Sequence, residues 1–454
     1  MKYRFLYGHN HMYIQQIEPT ERYLNPEDVN VPQGYQIEVF ATGLDTPIGL
    51  VFTEEGGLLV AEAGVSTGNP RVLFLVEGRF EVIADGFNVP ITGINYRNGD
   101  IYVSHRGVIT ILREDGTRED IISGLPSFGD FSNNNVTFGP EGKIYFGQGT
   151  ATNSGVVGLD NQWIFEHPYF HDQPGDFILA RGVNYETTNA FIPAAESAMT
   201  GPFRPYGEPS LLPVEVVRGT IEASGSILRA NPDGSDLELV AWGLRNPSCI
   251  KFDLNNNLYI ANQGMTNRGS RPIANAPDEF HMFVPNQWYG WPDFSAGMPV
   301  SAPRFTPEGR PQPELLLYNI PSVPPRPLAS FPANSYIMGF DFNYSSEFGP
   351  VGDAYIAEFG SIRYEETGEL ILTGIGHRIS RININTGQTS TFSINKSGFP
   401  AVTPLEGGLG RPTDVKFGPD GAMYVTDFTA TTLRDPNEFI PNTGVIWRIS
   451  RSQF

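Results

Sequence analysis

Six polar side chains recur at one position of a repeated sequence pattern, and they are the first candidates for chemistry. Each closes a short apolar run: Glu62, His105, Gln148, Asn262, Glu358 and Asp427. A histidine in such a position can accept a proton, and carboxylates can hold a divalent cation that activates water. Polar residues also end strands simply because they meet water there. The position of these residues is therefore compatible both with a ligand site and with a solvent-exposed rim.

The runs that carry these residues belong to a sixfold repeat. In each copy an apolar segment ending in an aromatic residue is followed by a turn and a second apolar segment, as in 136–138 followed by 144–148. Turn sequences such as 418–421, Gly-Pro-Asp-Gly, are typical of tight reversals between paired strands. A Gly-apolar-x-x-Pro corner precedes four copies, beginning at Gly43, Gly86, Gly243 and Gly408.

This repeat predicts an all-β fold, a six-bladed β-propeller, because four antiparallel strands repeated radially form a propeller blade. The last copy ends after its third strand, and 35–44 has the pattern of a fourth strand ahead of the first copy. We therefore expect the ring to close by pairing this N-terminal strand with the last blade, which removes free edges. An open stack of sheets is the alternative. Residues 1–33 are expected to form an N-terminal arm, and 34–454 the propeller.

Two long insertions are predicted on one face of the ring, at about 151–222 and 264–335. Loops after the second and fourth strands of a blade share a face, so the corners and the six polar strand ends should collect there around the axis. Long ordered loops on one rim are usually functional. The mouth of the ring is therefore the expected ligand site.

Composition narrows the function classes. Gly 50 and Pro 38 disfavour a helical protein, and a net charge of −20 disfavours binding to nucleic acid or anionic membranes. Cys249 is alone, so neither an intrachain disulfide nor a cysteine-based zinc site is expected. No apolar run is long enough to span a membrane, and the N-terminal apolar stretch is too short for a signal peptide. Localisation and oligomeric state stay open.

The fourth copy resembles the glucose/sorbosone dehydrogenase family, whose members are six-bladed soluble sugar dehydrogenases that use pyrroloquinoline quinone and calcium. The matching segments are Gly243-Leu244-Arg245-Asn246-Pro247, Asn262-Gln263-Gly264, Asp278-Glu279 and Tyr289-Gly290-Trp291-Pro292. The likeness extends over about 34–451. It implies oxidation of a hydroxyl group on a small sugar or alcohol.

The resemblance also implies site residues. Contacts with the quinone are implied for Asn88, Arg245, Asn246 and Arg411. Backbone carbonyls that would hold calcium are implied for Gly264 and Met265. Asp130 matches the acid that orients the catalytic base. These roles suit the quinone, because arginine forks and calcium complement its carboxylates.

Three positions depart from the family. The catalytic histidine expected after Asp130 is Phe131, the expected second arginine of blade six is Thr413, and the lysine expected near 374–378 is missing. His105 is then the candidate for a replacement base. Two other functions stay open. One is a calcium-dependent lactonase or related hydrolase with an acidic mouth, and the other is a non-catalytic binding propeller.

Overall fold

Six antiparallel sheets surround one axis, which confirms the predicted β-propeller. This computed structural model describes residues 3–8, 11–16, 21–192, 196–364, 370–432, 435 and 437–452. The helical segments in this part of the chain are short 3₁₀ turns at Pro26–Asp28, Gln162–Phe165 and Pro303–Phe305. None of the described helices has the length and apolar character needed to cross a membrane.

The first strand of each blade lines the axis, and each contacts the first strands of both neighbouring blades, so that the ring is closed. These strands are Pro47–Phe52, Ile91–Arg97, Asn133–Phe138, Asn246–Phe252, Ile337–Phe342 and Pro412–Phe417. The approach is close enough to require glycine. A Cβ at Gly93 would lie 2.3 Å from the Cβ of Asn135, and one at Gly339 would lie 2.0 Å from the Oδ1 of Asp414.

The remaining strands extend each blade outward. The second strands are Leu58–Glu62, Asp100–His105, Ile144–Gln148, Leu258–Gln263, Ala354–Glu358 and Met423–Asp427. The third are Arg71–Val76, Val108–Leu112, Ser226–Ala230, Asp278–Met282, Arg378–Ile382 and Gly444–Arg451. The fourth are Arg79–Ala84, Arg118–Ser123, Glu238–Trp242, Ala329–Phe331, Thr389–Asn395 and Tyr35–Leu44. Their buried apolar residues form clusters within and between blades.

The ring closes as predicted. Tyr35–Leu44 pairs antiparallel with Gly444–Arg451, so the N-terminal strand becomes the fourth strand of blade six. Trp447, which is fully buried, lies opposite Val39 in this pair. Its indole Nε1 donates to Oδ2 of Asp427 at 3.0 Å. Closure therefore joins the two ends of the chain through backbone pairing and a buried side chain.

The end of the arm packs against blades five and six. Val29–Asn30 pairs with Thr389–Asn395 as a fifth strand of blade five. The Arg22 guanidinium is buried, and it donates to the Asp427 carboxylate at 2.8 Å and to the Gly408 carbonyl at 2.9 Å. Farther toward the N-terminus, Tyr3–Gly8 pairs with His11–Gln16 in a hairpin.

The insertions form small sheets over the ring. In the first, Ile178–Arg181 pairs with Val214–Val217, and Tyr185–Thr188 pairs with Ser197–Thr200. The predicted range 264–335 also contains two strands of blade four, Asp278–Met282 and Ala329–Phe331. These strands are short and carry polar residues, so their sequence does not show the repeat.

The two insertions share one apolar cluster. Phe203 of the first packs in the same cluster as Met265, Trp288 and Trp291 of the second. The buried Arg271 guanidinium joins them through the Ser154 carbonyl at 3.0 Å. The insertions therefore act as one support for the mouth loops. Two further short pairs complete the strands: Phe294–Ser295 pairs with Met298–Pro299, and Ile362–Tyr364 pairs with Leu370–Leu372.

Candidate functional site

The six polar strand ends are buried, and four of them bind the backbone of the corner in their own blade. Asp45 N donates to Glu62 Oε1 at 2.6 Å, and Asn262 Oδ1 accepts from Arg245 N at 3.1 Å. Asp427 accepts from Gly410 N at 2.9 Å. The donor in each case is the third residue of the Gly-apolar-x-x-Pro corner. These side chains therefore hold the corners in place.

His105 does the same in blade two. Its Nδ1 accepts from the backbone N–H of Asn88 at 3.1 Å, and its Nε2 contacts Thr110 Oγ1 at 2.8 Å. That hydroxyl donates to Asp120 Oδ1, so the imidazole Nε2–H donates to it. Burial lowers the pKa of His105 to about 4, which keeps the ring neutral. With both nitrogens engaged, the ring has no free lone pair, and nothing in this geometry supports His105 as a base.

Asn88 lies in the same corner. Its Nδ2 donates to the Arg106 carbonyl at 2.9 Å, and neither Asn88 nor His105 lines the pocket at the mouth. The structure therefore does not bring the two blade-two candidates together with Asn246 and Arg411, which do line that pocket.

The mouth pocket has a volume of about 450 Å³ and lies over blades three to six. Its walls are largely aromatic and apolar. The lining residues are Phe131, Asn246, Gln263, Tyr336, Met338, Phe359, Gly360, Ser361, Ile362, Arg411, Asn437 and Phe439. A pocket of this size with a few polar groups suits a small, flat organic ligand.

A chain of amides runs beneath the pocket. Asn134 Nδ2 donates to Asn246 Oδ1 at 3.0 Å, and Asn246 Nδ2 donates to Gln263 Oε1 at 2.9 Å. Gln263 Nε2 then donates to the Ile337 carbonyl at 3.0 Å. The chain links blades three, four and five, so it holds Asn246 and Gln263 in defined orientations at the pocket.

Arg245 is a buried cation beside the pocket. Its side chain is 2% exposed, and its guanidinium carbon lies 4.5 Å from the centre of the Phe131 ring. Arg245 itself is not among the residues that line the pocket. Nε donates to the Asn153 carbonyl at 3.3 Å, whereas the buried Nη1 has no hydrogen-bond partner among the described residues. Burial lowers the pKa of Arg245 to about 10, so it stays charged at neutral pH. A buried cation with an unpartnered donor favours an anionic ligand.

Arg411 brings a second cation to the pocket. Its guanidinium carbon lies 5.5 Å from the centre of the Phe359 ring and 5.6 Å from that of Phe439. Its backbone N–H donates to Asp427 Oδ1 at 2.6 Å, so the corner of blade six fixes its position. Aromatic rings that pack on a guanidinium hold it in one plane.

Asp130 does not orient a histidine in this protein. Its Oδ1 accepts from Asn161 Nδ2 and Trp163 Nε1, both at 2.9 Å, and its Oδ2 accepts from Arg268. Arg268 also donates to Asp160 at 2.7 Å. The carboxylate expected to orient a base therefore holds a guanidinium instead.

Gly264 and Met265 would bring only backbone carbonyl oxygens to a calcium ion. Gly264 N donates to Asp278 Oδ1 at 2.8 Å, and the Met265 side chain is buried in the apolar cluster of the insertions. Calcium takes six to eight oxygen ligands, several of them carboxylates. The described residues include no group of three or more His, Cys, Asp or Glu side chains that could hold a metal ion. The carboxylates that calcium usually takes are therefore not gathered among the described residues, and we assign calcium no step.

Several pocket residues were missed at the level of sequence. Gln263 belongs to the blade-four motif, but the sequence predicts no function for it. Tyr336, Phe359 and Phe439 belong to no motif that would predict a place in the pocket. Tyr336 has a backbone φ of 48°, rare for a residue with a side chain, and its carbonyl accepts from Phe359 N at 3.0 Å. Such a conformation depends on contacts that form when the blade folds, which a local pattern does not reveal.

No family model matches this chain, and neither does any curated protein. Solved structures do resemble it. The holo form of the pyranose dehydrogenase PQQ domain from Coprinopsis cinerea is 15% identical with a TM-score of 0.57, over 96% of this chain and 98% of that one. The PQQ-bound aldose sugar dehydrogenase from Streptomyces coelicolor is 16% identical with a TM-score of 0.51, over 93% of this chain and 100% of that one.

A calcium structure of a carbohydrate-active enzyme of family AA12 from Trichoderma reesei is 15% identical, with a TM-score of 0.54 over 94% of this chain and 98% of that one. At this level of identity the likeness shows the fold. It confirms the predicted resemblance to the quinone-dependent sugar dehydrogenases as a likeness of architecture across nearly the whole chain.

Proposed function

We propose that this propeller binds a planar, anionic quinone of the pyrroloquinoline quinone class in the mouth pocket, and that it is a quinone-dependent oxidoreductase of sugars or alcohols. The observation that carries this proposal is Arg245, a buried guanidinium with an unpartnered donor that packs behind Phe131, a wall residue of the aromatic pocket. Arg411 adds a second cation there. The similarity in fold to structures named as quinone-bound sugar dehydrogenases supports the same choice.

The chain's own residues would each take a defined part. Arg245 and Arg411 would bind the ligand's carboxylates, and the amides of Asn246 and Gln263 would orient its ring substituents. Phe131 and Phe359 would cover the flat ring and exclude water from it. When bound, the quinone supplies an electrophilic two-electron oxidant, which the protein itself lacks.

A second candidate, a propeller that binds this ligand without turnover, is favoured by Phe131. A phenyl ring cannot accept the hydroxyl proton of a substrate, and no histidine lines the pocket among the described residues. The hydrolase alternative has less support. Two of its acidic candidates, Glu62 and Asp427, bind backbone N–H groups and arginines instead of facing the pocket.

Titration of the purified chain with pyrroloquinoline quinone, with and without calcium, tests the proposal. Saturable binding should change the quinone's absorbance, and Arg245→Met should weaken binding by about tenfold or more, because a charge-assisted hydrogen bond is lost. Arg204→Met is the matched control, since Arg204 pairs with Glu215 at 2.6 Å in the first insertion, outside the pocket lining.

Dye-linked oxidation of aldoses and simple alcohols by the loaded chain then separates the two candidates. Dye reduction supports the oxidoreductase, and saturable binding without dye reduction supports the binder. If no quinone binds, or if Arg245→Met and Arg204→Met weaken binding equally, the proposal is wrong.

A further inference from the structure

His377 lies between two walls of the mouth pocket. It directly precedes the third strand of blade five, Arg378–Ile382, near the place where the resemblance leads one to expect a lysine. Its side chain is buried, and its backbone φ is 56°. A buried histidine held in a strained backbone conformation often marks a functional position.

Both ring nitrogens of His377 face backbone carbonyls. Nδ1 lies 2.8 Å from the Gly410 oxygen, and Nε2 lies 3.2 Å from the Ser361 oxygen. A carbonyl only accepts hydrogen bonds, and a neutral imidazole has a single N–H. Only the doubly protonated ring can therefore donate to both carbonyls.

The two carbonyls belong to different parts of the pocket. Ser361 lines it from blade five, and Gly410 precedes Arg411 in the corner of blade six. The imidazole also packs directly on Gly360, another lining residue, where a Cβ would lie 2.4 Å from ring atoms. Displacement of the ring would therefore move both walls.

The charges around His377 act in opposite directions. Burial lowers its pKa to about 4; the two carbonyls and Asp427 oppose this shift, and Arg411 adds to it. Asp427 is itself paired with Arg22, and Glu358 and Arg378 lie on the neighbouring strands of blade five. At neutral pH the free protein therefore holds a neutral ring, and one of the two carbonyl contacts lacks its proton.

We propose that His377 is a positioning residue that ties the blade-five wall to the Arg411 corner, and that it takes up a proton when an anionic ligand fills the pocket. A negative ligand beside Arg411 offsets the cation that disfavours the imidazolium. The second hydrogen bond then forms and draws the two walls together. This inference rests on the proposed function for the anionic character of the ligand.

Calorimetric titration with pyrroloquinoline quinone, in two buffers of different ionisation enthalpy at pH 6, measures the protons exchanged. The parent chain should take up protons on binding, and its affinity should rise as the pH falls from 7 to 5. His377→Gln should lose this proton uptake and bind about tenfold more weakly. His281→Gln should behave as the parent, because the buried His281 bonds to Glu279 in blade four, outside the pocket lining.

Binding by the parent without proton uptake, or an unchanged uptake in His377→Gln, would overturn the inference. If the parent binds no quinone, the proposed function fails. The contact that His377 makes between the blade-five wall and the Arg411 corner is then tested on the free protein by hydrogen exchange. Amides of 359–362 and 408–411 should then exchange faster in His377→Gln than in the parent and in His281→Gln. Equal exchange in all three would show that His377 does not join the two walls.

Discussion

The Phe131 ring covers the guanidinium of Arg245 at 4.5 Å, at the position where the resemblance in sequence implies a catalytic histidine. The substitution replaces a proton acceptor by an apolar ring and leaves a buried cation beneath it. The mouth therefore has a buried cation behind its aromatic wall and lacks the expected base.

Introducing a histidine at position 131 should increase turnover. Phe131→His places an imidazole at the pocket, and a general base typically contributes 10²–10⁴-fold, so dye reduction by the quinone-loaded chain should rise by about a hundredfold. Phe131→Tyr is the control, because it keeps the ring without adding an imidazole. A histidine variant that binds quinone but reduces no more dye than the tyrosine variant would contradict this prediction.

Removal of the buried cation should not destabilise the free protein. Arg245→Met deletes a charge that has no carboxylate partner in a hydrogen bond, so the free energy of unfolding should stay equal or increase, by up to about 4 kcal/mol. Denaturant unfolding without ligand measures it. A large loss of stability would show that Arg245 serves the fold rather than a ligand.

The buried ion pair between Arg22 and Asp427 should contribute more to the free energy of unfolding than the exposed ion pairs do. Asp427→Asn leaves the buried Arg22 cation without its counter-charge, which should cost about 3–5 kcal/mol of stability. Arg448→Met is the comparison, because Arg448 pairs with Glu38 and Asp420 at the surface, and its loss should cost about 1 kcal/mol or less. Denaturant midpoints would show which variant loses more stability. Equal losses of stability in the two variants would contradict the prediction.

His105 should make the folded state more sensitive to acid. Its pKa of about 4 lies below its ordinary value of 6.5, so the unfolded chain binds the proton more tightly between these values. Stability from this group is therefore full above pH 6.5 and is lost as the pH falls toward 4. The stability of His105→Gln relative to the parent should then improve over that range, which unfolding curves at several pH values would measure. A constant difference would be inconsistent with a neutral, buried His105.

The architecture can be predicted from the sequence alone. Strand pairs, corners and turns repeat along the chain, and such signals are local, because side-chain alternation and turn chemistry involve residues only a few positions apart. Even the ring closure could be predicted, since 35–44 has the strand pattern that the last blade lacks. The corner and the polar strand end were both visible in the sequence, but not the hydrogen bond between them.

The hydrogen-bond partners of the polar side chains become visible only in the folded chain. Asp130 binds Arg268 from another blade, and His377 reaches Gly410 in the next blade, and neither contact has a local sequence pattern. The sequence predicts His105 as a candidate base, but in the folded protein the ring is buried and both of its nitrogens make hydrogen bonds. A side chain's chemistry depends on the desolvation and partners that folding provides, and here these come from residues far apart in the chain.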